Sequence, residues 1–523
     1  MKGRKKMWTS DLGNGQYKNP IVYADYSDPD VIRVGEDFFM TASSFNFTPG
    51  LPILHSKDLV NWKVVSYALD RMPFKSYDLP QHGKGVWAPA LRYHNGEFYI
   101  YFGAPDEGVF MVKTKDPFGK WEEPVMVKEA LGWIDTCPFW DDDGNAYLVH
   151  AFANSRCGIK SILHINKMAP DGKSLLDEGT MVVDGRINNP TLEGPKFYKR
   201  NGYYYIFAPA GGVEKGWQVV YRSKNIYGPY EERITLAQGN TPVNGPHQGG
   251  FVELESGESW FIHFQDLEPY GRILHLQPIT WVDDWPHMGQ NVNEAGCGEP
   301  VLVYQKPNVG KTYPITVPET SDHFESKTLG LQWQWQANYN NDWYTLENQG
   351  LTLYTKKFVS DEISTLYELP NLLTQMIQMP VFNAIVKVKL NAQSEKDQCG
   401  LALTGKSYHY ISLIHEADGN YVQFVEGGEQ GKGSFERIKI KRKIEGDNIY
   451  LRAHMHNESN VLEDGIGQMS YSVDGIHFEN IGLPFYTYPG GWVGTKIGLF
   501  ATNFIQNNSQ GFATFEYIEI EEA

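Results

Sequence analysis

The stretch His94-Asn-Gly-Glu-Phe-Tyr-Ile-Tyr101 joins a polar turn to an aromatic segment, and it begins the clearest copy of a unit that recurs along this chain. The copy closes on a second polar turn, Lys113-Thr-Lys-Asp-Pro-Phe-Gly-Lys-Trp121. An earlier copy begins at Val34-Gly-Glu-Asp-Phe-Phe-Met-Thr41 and closes on Trp62. Short aromatic and β-branched segments between Gly, Asp, Asn and Pro turns predict β-strands.

Three further copies bring the number of units to five. They begin at Asp142-Asp-Gly-Asn-Ala-Tyr-Leu-Val149, Asn201-Gly-Tyr-Tyr-Tyr-Ile-Phe207 and Ser256-Gly-Glu-Ser-Trp-Phe-Ile-His263. A period of about 50 to 60 residues with several strands in each unit is typical of propeller blades rather than of a helical solenoid. The repeat therefore predicts a five-bladed β-propeller, which we place in residues 1–312.

The remaining residues, 313–523, lose this repeat after the linker-like stretch Tyr313-Pro-Ile-Thr-Val-Pro-Glu-Thr-Ser-Asp322. Segments such as Asn383-Ala-Ile-Val-Lys-Val-Lys-Leu-Asn391 alternate apolar and polar residues, as half-buried antiparallel strands do. We predict a C-terminal β-sandwich domain, with a degenerate barrel as the open alternative. The whole chain is then all-β.

Composition excludes several classes of protein. The 523 residues are too many for one ordinary core. A formal net charge of −17 with scattered basic residues argues against nucleic-acid or anionic-membrane partners, and no apolar run approaches the roughly 18 residues of a membrane span. The four cysteines fit free thiols rather than a disulfide framework. We expect a cytoplasmic protein, or an extracellular one if a leader has been removed; a homo-oligomer stays possible.

Three acidic residues precede blades at places that the repeat makes equivalent: Asp28, Asp135 and Glu193. Inner strands of propeller blades converge on the axis, so these side chains are expected to meet in one central pocket. A single acidic residue of this kind is commonly a turn residue. Three together suit glycoside hydrolysis, in which one carboxylic acid protonates the leaving oxygen and a carboxylate acts as base. The residues alone leave these roles open.

Other side chains on the same rim could complete a sugar site. Trp87 and Phe45 offer aromatic faces for the apolar C–H face of a sugar, and Arg272 offers hydrogen bonds to hydroxyls. Core packing or a surface ion pair is the alternative for each. His247 precedes blade five without the spacing of a metal-ligand motif, and it is a weak candidate for a metal ligand.

Several strings together resemble glycoside hydrolase family 43, and the resemblance covers essentially the whole chain. In the first half they are Tyr26-Ser-Asp-Pro-Asp-Val-Ile32, Pro49-Gly-Leu-Pro-Ile-Leu-His-Ser-Lys-Asp-Leu-Val-Asn-Trp62, Val86-Trp-Ala-Pro89, Ile134-Asp135, Leu192-Glu-Gly-Pro195 and Tyr270-Gly-Arg272. The second half is similar to the concanavalin-like β-sandwich of that family's β-xylosidases in Leu331-Gln-Trp-Gln-Trp-Gln-Ala-Asn338, Asn371-Leu-Leu-Thr-Gln375 and Asp397-Gln-Cys-Gly-Leu-Ala-Leu403.

The resemblance implies an inverting, exo-acting enzyme on a five-bladed propeller. It implies that Asp28 is the general base, Glu193 the general acid and Asp135 the residue that modulates the pKa and orientation of the acid. A departure is Asp135-Thr-Cys-Pro138, where many members carry Asp-Pro-Ser. This difference affects the shape expected for the sugar subsite.

The same resemblance assigns the remaining candidates. It implies that Arg272 contacts the sugar and the modulator, that Trp87 and Phe45 wall the terminal subsite, and that His247 lies beside a calcium ion held largely by water. A sandwich loop would close one side of the pocket with an aromatic side chain. Trp492 is the candidate for that role, with a place in the sandwich core as the alternative.

The function expected from the resemblance is removal of terminal β-D-xylose from xylo-oligosaccharides, together with α-L-arabinofuranosidase activity on arabinose-substituted chains. Two alternatives stay open. One is an exo-hydrolase directed at arabinan or galactan, and the other is a propeller that binds carbohydrate without catalysis.

Overall fold

A computed structural model describes residues 7–347, 350–355, 363–457, 464–505 and 509–523. In these ranges the chain is almost entirely β-structure. The helical pieces there are the α-helix Asn154–Cys157 and the 3-10 turns Lys75–Asp78, Glu268–Tyr270 and Asn341–Trp343. None of the helices in the described ranges has the length and apolarity needed to cross a membrane.

The first half of the described chain forms five four-stranded antiparallel sheets, each built from one contiguous segment. Blade one contains Asp30–Val34, Asp37–Thr41, Gly50–Ser56 and Trp62–Leu69. Blade two contains Trp87–His94, Glu97–Ala104, Gly108–Thr114 and Val125–Glu129. Blade three contains Trp133–Trp140, Ala146–Phe152, Ile162–Met168 and Thr180–Asp184. Blade four contains Lys196–Arg200, Tyr203–Ala210, Trp217–Ser223 and Glu231–Ala237. Blade five contains His247–Glu253, Ser259–Asp266, Arg272–Val282 and Trp285–Met288.

The ring closes where blade five meets blade one. Gly250 lies so close to blade one that a Cβ there would be 2.6 Å from the backbone nitrogen of Val31, so a side chain would separate the two blades. Outside the blades, Gln16–Lys18 pairs with Val303–Gln305 and ties the two ends of the propeller segment together.

Arg92 links neighbouring blades through the propeller centre. Its guanidinium bonds to the fully buried Asp30 of blade one at 2.7 Å and to the Cys137 sulfur of blade three at 2.9 Å. It also lies 5.1 Å from the ring centroid of Tyr198 in blade four. A buried charge needs such a full set of partners, and here those partners come from different blades.

The second half forms a sandwich of two seven-stranded antiparallel sheets. In sheet order, the first contains Gln334–Trp335, Leu373–Met376, Lys496–Thr502, Gln398–Thr404, Ser407–Glu416, Gly419–Gln430 and Gly433–Ile444. The second contains Tyr344–Leu346, Leu351–Tyr354, Phe512–Glu522, Phe382–Asn391, Asn448–His456, Ile466–Ser472 and Glu479–Tyr486. Their facing apolar side chains form one large core.

The two halves are joined by backbone as well as side chains. Thr48 and Trp335 exchange backbone hydrogen bonds of 3.0 and 2.6 Å, and the Asn338 side chain bonds to both backbone groups of Met72. The predicted all-β fold, a five-bladed propeller followed by a β-sandwich, is confirmed, and the open alternative of a barrel is excluded. The exact division between residues 312 and 313 stays a prediction.

The expectation of free thiols is also confirmed. All four cysteines lie in described ranges and none is bonded to another.

Candidate active site

Each blade presents two adjacent residues to the propeller axis where its inner strand begins. The second of the two is in the left-handed region, with φ between 35° and 60°. The five residues at that second position are Asp28, Ala88, Asp135, Gly194 and Gln248. The strand pairing shifts at this point in blades two, three and five. Left-handed backbone costs a non-glycine residue about 1–3 kcal/mol, and such strain concentrates at functional sites.

This register corrects one expectation. Asp28 and Asp135 do occupy equivalent positions, but Glu193 stands one residue earlier, at the position held by Trp87 and His247 in their blades. The offset gives Glu193 a different approach to the pocket. Asp28 and Asp135 are about 95% buried, whereas the side chain of Glu193 is 29% exposed.

Asp28 is surrounded by hydrogen-bond donors. Its Oδ1 accepts from Nη1 of Arg272 at 3.1 Å, and its Oδ2 accepts from the hydroxyls of Ser27 at 2.8 Å and Ser43 at 2.6 Å. Ser43 is itself fixed by the backbone N–H of Ala88, which donates to its hydroxyl at 2.7 Å. An ionised carboxylate can accept all of these bonds at once, so the surroundings suit a base.

Asp135 and Glu193 lie close enough for their charges to interact. The backbone N–H of Gly194 donates to Oδ2 of Asp135 at 2.7 Å, which fixes Asp135 beside the residue that follows Glu193. Gly194 has φ +60° and lies against Gln248, 2.7 Å from where a Cβ would be, so glycine is required there. Burial, followed by the negative charge of Glu193, raises the pKa of Asp135.

His247 contacts Glu193. The ring is 1% exposed, its Nε2 lies 3.2 Å from Oε1 of Glu193, and its buried Nδ1 has no partner among the described residues. In the described part of the chain no three His, Cys, Asp or Glu side chains are grouped as metal ligands. Calcium prefers oxygen ligands, so these residues fit only an ion held mostly by water with the imidazole as its protein contact.

Three aromatic rings form a wall beside the carboxylates. Phe45 packs edge-on against Trp87 at 6.4 Å between centroids, and Trp87 packs edge-on against Trp492 at 5.9 Å. The guanidinium of Arg156 lies 5.2 Å from the ring centroid of Trp87. Trp492 is 52% exposed, so the structure places it at the pocket mouth and not in the sandwich core. All three aromatic candidates are therefore brought together.

Arg272 lies between the aromatic wall and Asp28. It was expected beside Asp135, but its nearest carboxylates are Asp28 at 3.1 Å and Asp266 at 3.6 Å. Its guanidinium also lies 5.7 Å from the ring centroid of Trp492. The arginine thus connects Asp28 to the aromatic side chain supplied by the sandwich.

Asp25 is a residue that the sequence reasoning missed. It is buried, its Oδ1 accepts from the backbone N–H of Arg272 at 2.8 Å, and its Oδ2 accepts from the backbone N–H of Gly494 at 2.8 Å. Gly494 lies two residues after Trp492. One carboxylate therefore fixes the propeller strand that carries the arginine and the sandwich loop that carries the tryptophan. Burial raises the pKa of Asp25, against the opposing influence of Lys496.

The only signal for Asp25 in the sequence was a second acidic residue three positions before Asp28. Ser43 and Asp266 were missed as well, because their partners lie on other elements of the fold. A cavity of about 460 Å³ opens beside these groups, with Arg272 and Trp492 among its walls.

The propeller, the axial carboxylates and the aromatic mouth together define the class of carbohydrate-cleaving hydrolases. The chain belongs to glycosyl hydrolases family 43, whose family model matches residues 17–286. Residues 321–521 match the beta xylosidase C-terminal concanavalin A-like domain. The protein is therefore a glycoside hydrolase, and its relatives support an exo-acting one.

Three relatives in sequence illustrate the family. A protein of Xylanibacter ruminicola named "Putative beta-xylosidase" is 38% identical over 507 residues, which cover 96% of this chain and 89% of the relative. A beta-xylosidase of Formosa agariphila is 31% identical over 94% of this chain and 88% of its own length. A non-reducing end alpha-L-arabinofuranosidase of Bacteroides ovatus is 30% identical over 80% of each chain.

Solved structures give the same assignment. A bifunctional GH43-CE protein of Bacteroides eggerthii superposes with a TM-score of 0.84 at 26% identity over 99% of this chain. This chain spans 64% of that longer protein. The GH43 BlXynB protein of Bacillus licheniformis superposes with a TM-score of 0.81 at 25% identity, covering 97% of this chain and all of the other.

Proposed function

We propose that this protein is an inverting exo-glycosidase that removes terminal β-D-xylose from xylo-oligosaccharides. The observation that carries the proposal is the contrast between two carboxyl environments on one axis. Asp28 accepts from a guanidinium and two hydroxyls, whereas Glu193 is next to Asp135, whose pKa is raised. Pairs of titratable groups in opposed environments are the arrangement that separates a base from an acid.

In this mechanism Asp28 is the general base. Its carboxylate accepts a proton from a water molecule, which attacks the anomeric carbon on the face opposite the leaving oxygen. Arg272, Ser27 and Ser43 orient the carboxylate by donating hydrogen bonds to its two oxygens. The bond from the sugar to the leaving oxygen breaks as the bond from water forms, so configuration inverts in one step.

Glu193 is the general acid that protonates the leaving oxygen. The Gly194 N–H holds Asp135 beside it, and because burial and mutual repulsion oppose ionisation of both carboxyl groups, the pair keeps one proton that Glu193 donates to the leaving oxygen. His247 contacts the other side of the acid and orients it. Asp135 and His247 are thus positioning residues, while Asp28 and Glu193 touch the reacting atoms.

Exo action follows from the aromatic wall. Trp492 extends from the sandwich against Trp87 and narrows the mouth, so a chain end enters more readily than the middle of a polymer. The name of the Bacteroides ovatus relative supports α-L-arabinofuranose as a second terminal sugar, because xylopyranose and arabinofuranose present similar hydroxyl patterns to such a pocket.

Calcium is part of the proposal as a support for the site. His247 would hold the ion, and the ion would supply positive charge near Glu193. Prolonged treatment with EDTA should then lower the Tm and the rate, and added calcium should restore both. An unchanged Tm and an unchanged rate would remove the ion from the proposal.

The central experiment measures hydrolysis of para-nitrophenyl β-D-xylopyranoside and para-nitrophenyl α-L-arabinofuranoside side by side, with Glu193→Gln as the blank. We expect xylosidase turnover that the variant loses, and the ratio of the two rates gives the preferred sugar. NMR of the first product should show α-xylose, the inverted anomer. First release of β-xylose would contradict inversion, and a wild type inert on all aryl glycosides would favour a binding propeller.

A further inference from the structure

Beyond the aromatic mouth, a groove follows the seam between propeller and sandwich. It consists of the cavity of about 460 Å³ beside Arg272 and Trp492 and a second cavity of about 530 Å³ that extends to Lys432. The residues shared by both cavities are His82, Tyr367 and Glu429. We call the two cavities together the interdomain groove. Each has the size of a small-molecule site, roughly 300–1,000 Å³.

A pair of stacked rings lies where the two cavities meet. The rings of His82 and Tyr367 are 3.9 Å apart at 24°, and Nε2 of His82 lies 2.7 Å from the backbone carbonyl of Tyr367. Burial lowers the pKa of His82, which keeps the imidazole neutral at pH 7 with its Nε2–H as the donor. One ring comes from each domain, so the platform exists only when the two domains are docked.

The sandwich anchors the Tyr367 segment with buried polar groups. Nε2 of Gln336 donates to the backbone carbonyls of Leu366 and Tyr367 at 3.0 and 3.1 Å. Oε1 of Glu436 accepts from the backbone N–H of Leu366 at 2.8 Å, and burial raises the pKa of this carboxyl. Fully satisfied buried networks rigidify the groups that they hold, so the tyrosine is presented on a fixed support.

The walls of the groove carry groups that can bond to hydroxyls. Arg156 and Lys406 supply donors in the near cavity, Glu429 supplies an acceptor in both, and Lys432 supplies a donor at the far end. Because the groove is lined by both positive and negative side chains, it does not favour a ligand with a large charge of one sign. An aromatic platform with alternating donors and acceptors matches a neutral sugar chain, whose faces are apolar and whose edges carry hydroxyls.

We propose that the interdomain groove binds the leaving-group side of an oligosaccharide, so that the enzyme prefers xylo-oligosaccharides longer than a disaccharide. This inference rests on the proposed function, because the groove begins where the chain beyond the scissile bond leaves the mouth. The sugar next to the cleaved bond contacts Trp492 and Arg156, and the following sugars lie against Tyr367 and His82.

The test compares kcat/KM for para-nitrophenyl β-D-xylopyranoside, xylobiose, xylotriose and xylotetraose. For the wild type we expect kcat/KM to rise from xylobiose to xylotetraose. For Tyr367→Ala the ratio of kcat/KM on xylotetraose to that on the nitrophenyl xyloside should fall about tenfold, mainly through KM. Tyr367→Phe, which keeps the ring, should retain the ratio of the wild type. Tyr486→Ala removes a 53% exposed tyrosine outside the groove and is the matched control.

Two results would overturn the inference and leave the proposed function standing. One is a kcat/KM that does not depend on chain length while the nitrophenyl xyloside is hydrolysed. The other is an equal loss on every substrate in Tyr367→Ala, which would assign the tyrosine to support of the fold. A wild type that hydrolyses none of these xylosides would refute both the proposed function and the groove.

Discussion

In the propeller, the pocket side chains stand on buried inner strands beside left-handed backbone, whereas the sandwich reaches the same pocket with one half-exposed indole on a loop. Asp28 and Asp135 are held by hydrogen bonds from several blades. Trp492 is 52% exposed and touches the propeller mainly through other rings. The candidate catalytic carboxylates are therefore fixed by hydrogen bonds within the propeller, whereas the sandwich contributes a more exposed side chain at the mouth.

This difference between the two domains determines which pocket residues can be substituted without loss of stability. A buried carboxylate in a satisfied network cannot be exchanged without leaving another buried group unpaired, which costs about 1–3 kcal/mol or more. A loop residue at the mouth can vary at little cost in folding. We expect variation in substrate length to be encoded on the sandwich side and the reaction itself on the propeller side.

The largest expected effect tests the propeller side. Asp28→Asn and Glu193→Gln should each lower kcat by roughly 10²- to 10⁴-fold, the usual contribution of general acid–base catalysis. Circular dichroism should show a retained fold, and steady-state kinetics measures the loss. Glu123→Gln, at an 86% exposed side chain, is the control. Retention of more than a tenth of the rate in Glu193→Gln would contradict its role as the acid.

The next largest effect is expected for the residue that the sandwich contributes to the pocket mouth, Trp492. Trp492→Ala should lower kcat/KM by about 10- to 100-fold, chiefly by raising KM, because the variant loses a wall and not a reacting group. Its Tm should stay close to that of the wild type. Trp335→Ala, at a buried tryptophan of the sandwich core, should instead lose about 3–5 kcal/mol of stability. Equal Tm losses in the two variants would contradict the distinction.

A smaller effect is expected where the two domains meet at one carboxylate. Asp25→Asn keeps one acceptor oxygen but turns an amide N–H₂ toward either Arg272 or Gly494, so one of the two bonds is lost. We expect kcat/KM to fall about tenfold and the Tm to drop, as a buried donor left unpaired costs about 1–3 kcal/mol. Asp58→Asn is matched in burial but distant from the mouth. It should lower the Tm without raising KM, and the same KM for both variants would refute the positioning role.

The smallest effect concerns pH and stability. The pKa of Asp135 is raised from 3.8 to about 8, so between these values the folded protein keeps a proton that the unfolded chain has released. Stability from this group is thus complete below pH 3.8 and is lost as pH rises toward 8, by at most about 1.4 kcal/mol per pH unit. Asp135→Asn removes this titration.

Thermal unfolding from pH 5 to 8 measures the difference. The Tm of Asp135→Asn should exceed that of the wild type by an amount that grows with pH, while its kcat falls. Asp141→Asn should lower the Tm by an amount that stays constant from pH 5 to 8, because hydrogen bonds from Lys199 and Tyr204 lower the pKa of that carboxyl and it titrates only below this range. Parallel Tm profiles for wild type and Asp135→Asn would show that Asp135 is ionised throughout.

The sequence predicted the propeller because each blade repeats the same turn and strand in one contiguous segment. It also brought Asp28 and Asp135 together, since the repeat puts them at the same place. It missed the one-residue offset of Glu193, because a left-handed residue just before a strand leaves no mark in hydrophobic periodicity. Asp25 was missed because its partners are 247 and 469 residues away in the sequence. The raised pKa of Asp135 was missed because it depends chiefly on burial, which the neighbouring residues in the sequence do not indicate.

The hydrogen bond from the backbone N–H of Gly494 to Asp25 also sets an order of assembly during synthesis. Its partners are 469 residues apart, so at roughly 5–20 residues per second of synthesis the loop follows Asp25 by about 23 to 94 seconds. During translation Asp25 therefore has neither of these hydrogen-bond partners until Arg272 of blade five, and later Gly494 of the sandwich, has been synthesised. The pocket is complete only after the segment around Gly494 has been made, so a polypeptide truncated before that segment would carry Asp28, Asp135 and Glu193 without the side of the pocket that the sandwich supplies.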